Sequence, residues 1–372
     1  MNIVKIELGA IAYNFKIIRR FLPDRVKIMG IVKSDAYGHG LVQVAKLLSE
    51  EGVDYLGVAY PLEAYELIRS GIQTPIMILC GFQNKEEARL IISHHIIPVI
   101  WEDEMAYILD KEARERKKIV PVLIKVDTGM GRLGIPYEEI GDFIKGISSM
   151  KMLEIKGLLS HLSSADKPND AFTKRQIKVF KKAVNICHKM GLNLSMNSLA
   201  NSAGIINYSK ESFFDVVRPG IILYGGLPSP DLDAPFEFRQ AMQFVGKILQ
   251  IRKVPPKTPI SYGRTYHTQT EERIAIVSGG YGNGIPRSIS NKGYVIIRDK
   301  RAPILGQVCM DLTICNITHI ENAMIGDDVI FMGGAKRERI CPDDIARWAN
   351  SISYEILCSV GKINKREYRY ER

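Results

Sequence analysis

A repeated alternation constrains this chain more than any other feature. Short runs rich in Val, Ile and Leu lie at 27–33, 55–59, 76–79, 98–101, 121–127, 155–161, 193–198 and 216–224. Stretches with helical spacing lie between them. Residues 41–51 place Leu41, Val44, Ala45 and Leu48 at i, i+3, i+4 and i+7. Residues 172–190 repeat the pattern with Phe180, Ala183, Val184 and Cys187. Strands that are continuously apolar, rather than alternating, are covered on both faces, as in parallel sheets. Eight such strand–helix units predict an α/β chain folded as a closed (β/α)8 TIM barrel.

The pattern changes after Gly226. A linker-like, acidic stretch with Pro228, Pro230 and Pro235 follows. Short strand-like runs come next, at 243–254, 273–277, 294–298, 302–308 and 328–331, with turn signals such as Asn283-Gly284 and Gly333-Gly334. These predict a barrel over 9–230 and a β-rich domain over 231–372. Residues 1–8, strand-like and ahead of the barrel, are expected to join that domain.

The composition narrows the function. At 372 residues, 46% hydrophobic and 25% charged, the chain has material for two ordinary cores. No apolar run reaches the roughly 18–20 residues that span a bilayer, and the N-terminus lacks the pattern of a signal peptide. Six scattered cysteines without CxxC spacing read as reduced thiols, and the expected location is the cytoplasm. The net charge of +10 is spread out rather than clustered, which speaks for anionic small molecules and against nucleic acid. Seven histidines show no metal-ligand spacing, so no metal is expected.

A barrel enzyme carries its chemistry at the C-terminal ends of its strands. Read in order, those ends present Lys33, then Lys125 and Arg132, His161, Asn201-Ser202 and Arg218. Ala59 and Leu79 read as packing, while Trp101 and Glu102 have no evident role. Lys33 leaves an apolar strand into Val32-Lys33-Ser34-Asp35-Ala36-Tyr37-Gly38-His39-Gly40. Partial desolvation favours a free, nucleophilic amine, as a Schiff base to an aldehyde cofactor requires. By residue type alone, a lysine snorkelling to solvent is the commoner case.

The residues around Lys33 overturn that prior, because they resemble the cofactor-lysine signature of alanine racemases. The resemblance covers nearly the whole chain. It implies a pyridoxal-phosphate barrel joined to a β domain, working as a head-to-tail homodimer with shared active sites. It implies that Lys33 carries the cofactor and acts as one of two bases. The other is Tyr262, in Ser261-Tyr262-Gly263-Arg264-Thr265-Tyr266, reaching from the partner subunit. Two bases on opposite faces of a planar carbanion are the minimum apparatus for racemisation.

Lys125–Gly134 contains a G-x-G-x-x-G after a strand, but no acidic residue ends a strand about 20 residues on, so a dinucleotide loop is rejected. By resemblance, Arg132 contacts the substrate carboxylate, and Lys125 matches a lysine that is carbamylated in many relatives. Arg218, in Arg218-Pro219-Gly220-Ile221, is implied to bond the pyridine nitrogen. A guanidinium accepts no proton, which leaves the ring a weaker electron sink and disfavours side reactions. His161 is implied to orient Arg218 or Tyr262. The cofactor phosphate is implied to rest on Tyr37, Asn201-Ser202, Gly220, Ile221 and Tyr354, and Asn201 alone would pass as an ordinary helix cap. Met310-Asp311 and the access-channel tyrosine Tyr281 are implied to meet the substrate.

Asn283, Leu312 and Ser278-Gly279 depart from the family pattern, and no histidine stands just before Asn201. They bear on substrate preference rather than reaction class. The run 282–288 resembles serine racemases of the same family, so serine or broader specificity is the alternative. Tyr354 favours alanine, because its bulk crowds a larger side chain. Tyr262 and Met310 at racemase spacing argue against a decarboxylase on the related barrel, and the matched C-terminal motifs argue against a cofactor carrier. The expected reaction is interconversion of L- and D-alanine, supplying D-alanine for peptidoglycan.

Overall fold

A computed structural model describes residues 2–229, 232–334 and 337–370. The expected boundary at 230/231 lies outside the described residues.

The barrel forms as the apolar runs predict. Lys27–Ile31, Tyr55–Val58, Ile76–Ile78, Ile97–Ile100, Val120–Asp127 and Leu153–Leu159 pair in parallel, each with the next. Val216–Val217 returns to pair with Lys27 and Ile28. Bridges from Leu159 to Ser198 and from Asn201 to Arg218 close the ring. Every residue of Ile97–Ile100 is buried, and only Lys27 of Lys27–Ile31 is exposed, as strands with two covered faces require. The helices Leu41–Glu50 and Ala171–Lys189 lie where the periodicity places them.

Two expected barrel strands are corrected. Residues 193–198 form no regular strand. Asn197 Oδ1 accepts the Leu158 N–H, and Ser198 Oγ donates to the Val216 carbonyl, so polar side chains make contacts that a backbone ladder would otherwise make. The run at 216–224 is a strand only to Val217. Pro219 has no N–H to offer, and Ile221–Tyr224 turns into a 3-10 helix.

In the second region, one sheet runs Lys300–Pro303, Tyr294–Ile297, Asp328–Gly334, Met242–Val254, Ile3–Glu7, Arg366–Arg369. Glu272–Ser278 and Leu312–Asn316 extend it from the long strand Met242–Val254. The expected strand at 302–308 stops at Pro303, and Leu312–Asn316 and Arg366–Arg369 were not foreseen. Two helices, Pro342–Ala349 and Ser353–Ile363, also interrupt the β-rich pattern. Among the described residues no helix is long and apolar enough to cross a membrane.

Candidate active site

A cavity of about 1200 Å³ opens at the C-terminal ends of the barrel strands. Lys33, Tyr37, Lys125, Arg132, His161, Asn201, Ser202, Arg218, Gly220, Ile221 and Tyr354 all line it. Trp101, Glu102 and Leu79, which sequence reasoning left as unassigned or as packing, belong to the same wall.

Lys33 opens an unusual turn. Ser34, Asp35, Ala36 and Tyr37 all take left-handed backbone angles, with φ between 52 and 58°. Each such non-glycine residue costs roughly 1–2 kcal/mol, so the turn persists only because its surroundings over-determine it. Glu63 accepts the N–H groups of Ser34 at 2.6 Å and Ala59 at 2.7 Å, tying this turn to the neighbouring strand end. His39 Nδ1 donates to the carbonyls of Ala36 and Tyr37, both at 3.0 Å. Tyr224 donates to the Ile31 carbonyl at 2.8 Å and packs its ring between Tyr37 and His39. Glu63, His39 and Tyr224 are supports that the sequence did not reveal.

Arg218 is buried and pinned. It donates to Ser198 Oγ at 2.6 Å and to the Ser160 and Leu199 carbonyls at 2.6 and 3.2 Å. It also lies 3.2 Å from His161 Nδ1. A guanidinium only donates, so Nδ1 accepts in that contact. Burial, and then the neighbouring basic groups Arg218, Lys125, Arg132 and Lys33, hold His161 well below the usual histidine range. His161 therefore orients Arg218 as a neutral ring. Burial, then Arg132, lowers Arg218 to about 9, which leaves it charged at neutral pH.

Lys125 is 6% exposed. Burial, then Arg218 and Arg132, drives its amine well below the usual lysine range. The loop carrying Arg132 is shaped by Asp127, whose carboxylate accepts the N–H groups of Gly129, Met130 and Gly131 at 2.8, 2.8 and 2.9 Å. The next element is the short strand Ile135–Pro136 rather than a helix, so the glycines shape a turn and no dinucleotide loop forms.

Asn201 is a helix cap after all, accepting from the Gly204 N–H at 3.0 Å, yet its amide also lies 3.3 Å from His161 Nε2. Ser202 Oγ accepts the Gly220 N–H at 2.9 Å. A Cβ at Gly220 would lie 2.6 Å from the Tyr37 hydroxyl, so only glycine leaves that corner open.

Tyr262, Tyr281, Met310 and Asp311 do not line this cavity. They gather on the β-rich region, where Tyr281 and Gly282 donate to the carbonyls of Cys309 and Met310 at 3.0 and 2.7 Å. Ser261 Oγ donates to the Gln307 carbonyl at 2.6 Å and so tethers the turn before Tyr262. Tyr262 is 70% exposed, Met310 56% and Tyr281 42%.

Two family models match the chain: the alanine racemase N-terminal domain over residues 6–228 and the alanine racemase C-terminal domain over 241–368. An alanine racemase of Thermodesulfovibrio yellowstonii is 43% identical over 371 residues, covering 99% of this chain and 97% of the relative. The crystal structure of alanine racemase from D-cycloserine-producing Streptomyces lavendulae superposes with a TM-score of 0.92 at 30% identity, covering 100% and 97% of the two chains. That of Bartonella henselae alanine racemase, with covalently bound pyridoxal phosphate, gives 0.88 at 30% identity, covering 99% of each.

Proposed function

Because this chain belongs to the alanine racemase family and is a racemase, we propose that it interconverts L- and D-alanine with pyridoxal phosphate. The carrying observation is the convergence of Lys33, Lys125, Arg132 and Arg218 on one cavity, with no carboxylate ion-paired to any of them among the described residues. Such a wall suits an anionic ligand such as a substrate carboxylate.

The residues fit the cofactor. Gly220 keeps open a corner that a Cβ would fill, beside the Tyr37 hydroxyl. Ser202 accepts from Gly220 through its lone pair and keeps its own proton for a phosphate oxygen. Ile221 and Tyr354 complete that corner. Lys33 would hold the cofactor covalently, and Arg218 would donate to its ring nitrogen. Bound there, pyridoxal phosphate would withdraw electrons from the substrate and acidify its Cα–H.

The chain's own groups do the rest. Arg132 receives the substrate carboxylate. The Lys33 amine takes or gives the Cα proton on one face, and Tyr262 of the partner subunit does so on the other. Tyr281 and Met310-Asp311 of the partner subunit close the mouth over the substrate. The exposure of Tyr262 and Met310 supports this division between two copies in a homodimer. Lys125, whose amine burial holds well below the usual lysine range, is suited to add carbon dioxide, releasing one proton and forming a carbamate that would face Arg132. Tyr354 narrows the site toward alanine, with serine as the second reading. The product D-alanine would serve peptidoglycan synthesis in the cytoplasm.

The test is chiral chromatography of holoenzyme with L-Ala, L-Ser, L-Lys and L-Arg in parallel. Alanine is expected to racemise fastest, and no turnover of any of the four would sink the reading. Borohydride should fix the cofactor on Lys33, and label on any other residue would remove Lys33 from its role.

A further inference from the structure

We propose that Arg366, on the C-terminal strand Arg366–Arg369, is a positioning residue for Lys33, acting through the left-handed turn at 34–37. The proposal rests on the reading of Lys33 as the cofactor lysine.

Arg366 donates one guanidinium nitrogen to Asp35 Oδ2 and to the Gly38 carbonyl, the latter at 3.2 Å. Both groups of the ion pair are about three-quarters covered, which shields the pair from water. The other oxygen of Asp35 accepts the Leu41 N–H at 2.8 Å, so one carboxylate joins the turn to the start of the following helix. Arg366 is itself held in register, because its strand pairs in parallel with Ile3–Glu7.

A second contact comes from the same strand face. Tyr368, two residues on, fills the space beside Gly40, where a Cβ would meet its hydroxyl at 2.0 Å. The helix Ser353–Ile363 closes the third side. A Cβ on Gly38 would lie 2.5 Å from the Leu357 carbonyl, and one on Gly361 would lie 2.1 Å from the Gly38 carbonyl. That helix also brings Tyr354 and Cys358 to the cavity wall. The C-terminal helix and strand thus form the outer mould of the turn. Arg366 is the member of that mould that bonds the turn directly, so it fixes where Lys33 and Tyr37 point.

The experiment compares holoenzyme of the wild type with Arg366→Ala, Arg366→Lys, Asp35→Asn and the double variant Asp35→Asn/Arg366→Ala. Misplacing a reacting group by about 1 Å costs up to about 100-fold in rate. Arg366→Ala should therefore lose about 10-fold or more in kcat, with KM for L-alanine within about threefold. The visible circular dichroism of the bound cofactor should change, Arg366→Lys should recover part of the loss, and the double variant should be no worse than the worse single variant.

A folded Arg366→Ala with wild-type kcat and dichroism would overturn the proposal, and so would a double variant whose losses multiply. If Arg366→Ala does not fold, Asp35→Asn decides, since Leu41 keeps its acceptor. A kcat-selective loss there supports the proposal, and wild-type kcat overturns it. Borohydride label away from Lys33 in the wild type would instead overturn the underlying reading, and this proposal with it.

Discussion

The cavity at the barrel mouth and the patch around Tyr262, the two halves of one site on the proposed reading, are built in opposite ways. In the cavity, Arg218 and the backbone turn after Lys33 are each held by several groups. Arg218 has three oxygen acceptors besides the imidazole of His161, and the Lys33 turn is gripped by Glu63, His39 and Tyr224. On the β-rich region the backbone is just as firmly tied, but the side chains of Tyr262, Met310 and Tyr281 stand in water. A group meant to take a proton from a bound substrate does little while exposed, because desolvation and orientation give it its effect. The difference shows that one chain builds the cavity wall but leaves the side chains of the Tyr262 patch open to solvent, as the proposed division between two copies requires. On the proposed reading, the second copy would supply the enclosure.

The largest expected effect breaks this comparison directly. Tyr262→Phe should lose about 10²- to 10⁴-fold in racemisation, the range for a positioned acid–base group. Exchange of the Cα proton of one enantiomer with solvent should survive through Lys33. Lys33→Ala should be inactive. Mixing the two inactive variants under conditions that exchange subunits should restore activity, because a heterodimer then holds one intact site. Random pairing would give about a quarter of wild-type activity. No recovery, measured by chiral chromatography after confirmed exchange, would place Lys33 and Tyr262 in the same chain's site.

The two halves also differ in how legible they were in the sequence. The Lys33 loop is a contiguous run of nine residues, and the barrel rule places its partners at strand ends, so all the cavity residues expected there are present. What holds them was not legible. Arg366 and Asp35 lie 331 residues apart, and Tyr224 reaches Ile31 across 193. No local pattern marks such contacts. The seventh strand was misread for a related reason: 193–198 has only Leu194 and Met196 as apolar residues, and Asn197 and Ser198 satisfy neighbouring backbone groups with side chains. Trp101 and Glu102 carried no recognisable motif and were found in the wall only by the fold.

Next in size is a pH effect confined to the cavity side. His39 is fully buried beneath the Lys33 turn, and burial lowers it to about 4, against partial opposition from its hydrogen bonds to Tyr37 and Ala36. Arg366 lowers it further and Asp35 raises it. The unfolded chain binds that proton from about pH 6.5 downward, so acid favours unfolding. The stability from a neutral His39 is complete above about 6.5 and is lost as pH falls to about 4, by about 3 kcal/mol in total. Urea midpoints measured across that window should fall more steeply in wild type than in His39→Asn. Parallel curves would show that His39 does not titrate there. Tryptophan emission from Trp101, on the cavity wall, should report this loosening.

Lys125→Ala should have a smaller effect, about 10- to 100-fold in kcat/KM, because the proposed role of Lys125 is exerted through Arg132. Native mass spectrometry at neutral pH should find one added carbon dioxide per chain, absent after acid treatment. Full activity of Lys125→Ala would separate Arg132 from it and leave Arg132 dependent on the Asp127 loop alone.

The smallest expected change is also the sharpest discriminator between the two regions. Ser202→Ala removes one hydroxyl from the proposed phosphate corner and leaves the Gly220 N–H without its acceptor. One hydrogen bond of this kind is worth about 0.5–1.5 kcal/mol, so cofactor affinity should weaken about 2- to 12-fold, measured by equilibrium dialysis. Because the defect lies wholly within one chain's cavity, the activity at saturating cofactor should not depend on protein concentration. Leu312→Asp, on the exposed patch beside Met310, should behave the other way. Its activity should recover as protein concentration rises, while its cofactor affinity, measured in the same assay, stays near wild type. If both variants responded to cofactor and neither to protein concentration, the patch would belong to the same chain's cavity, and the division of labour between two copies would fail.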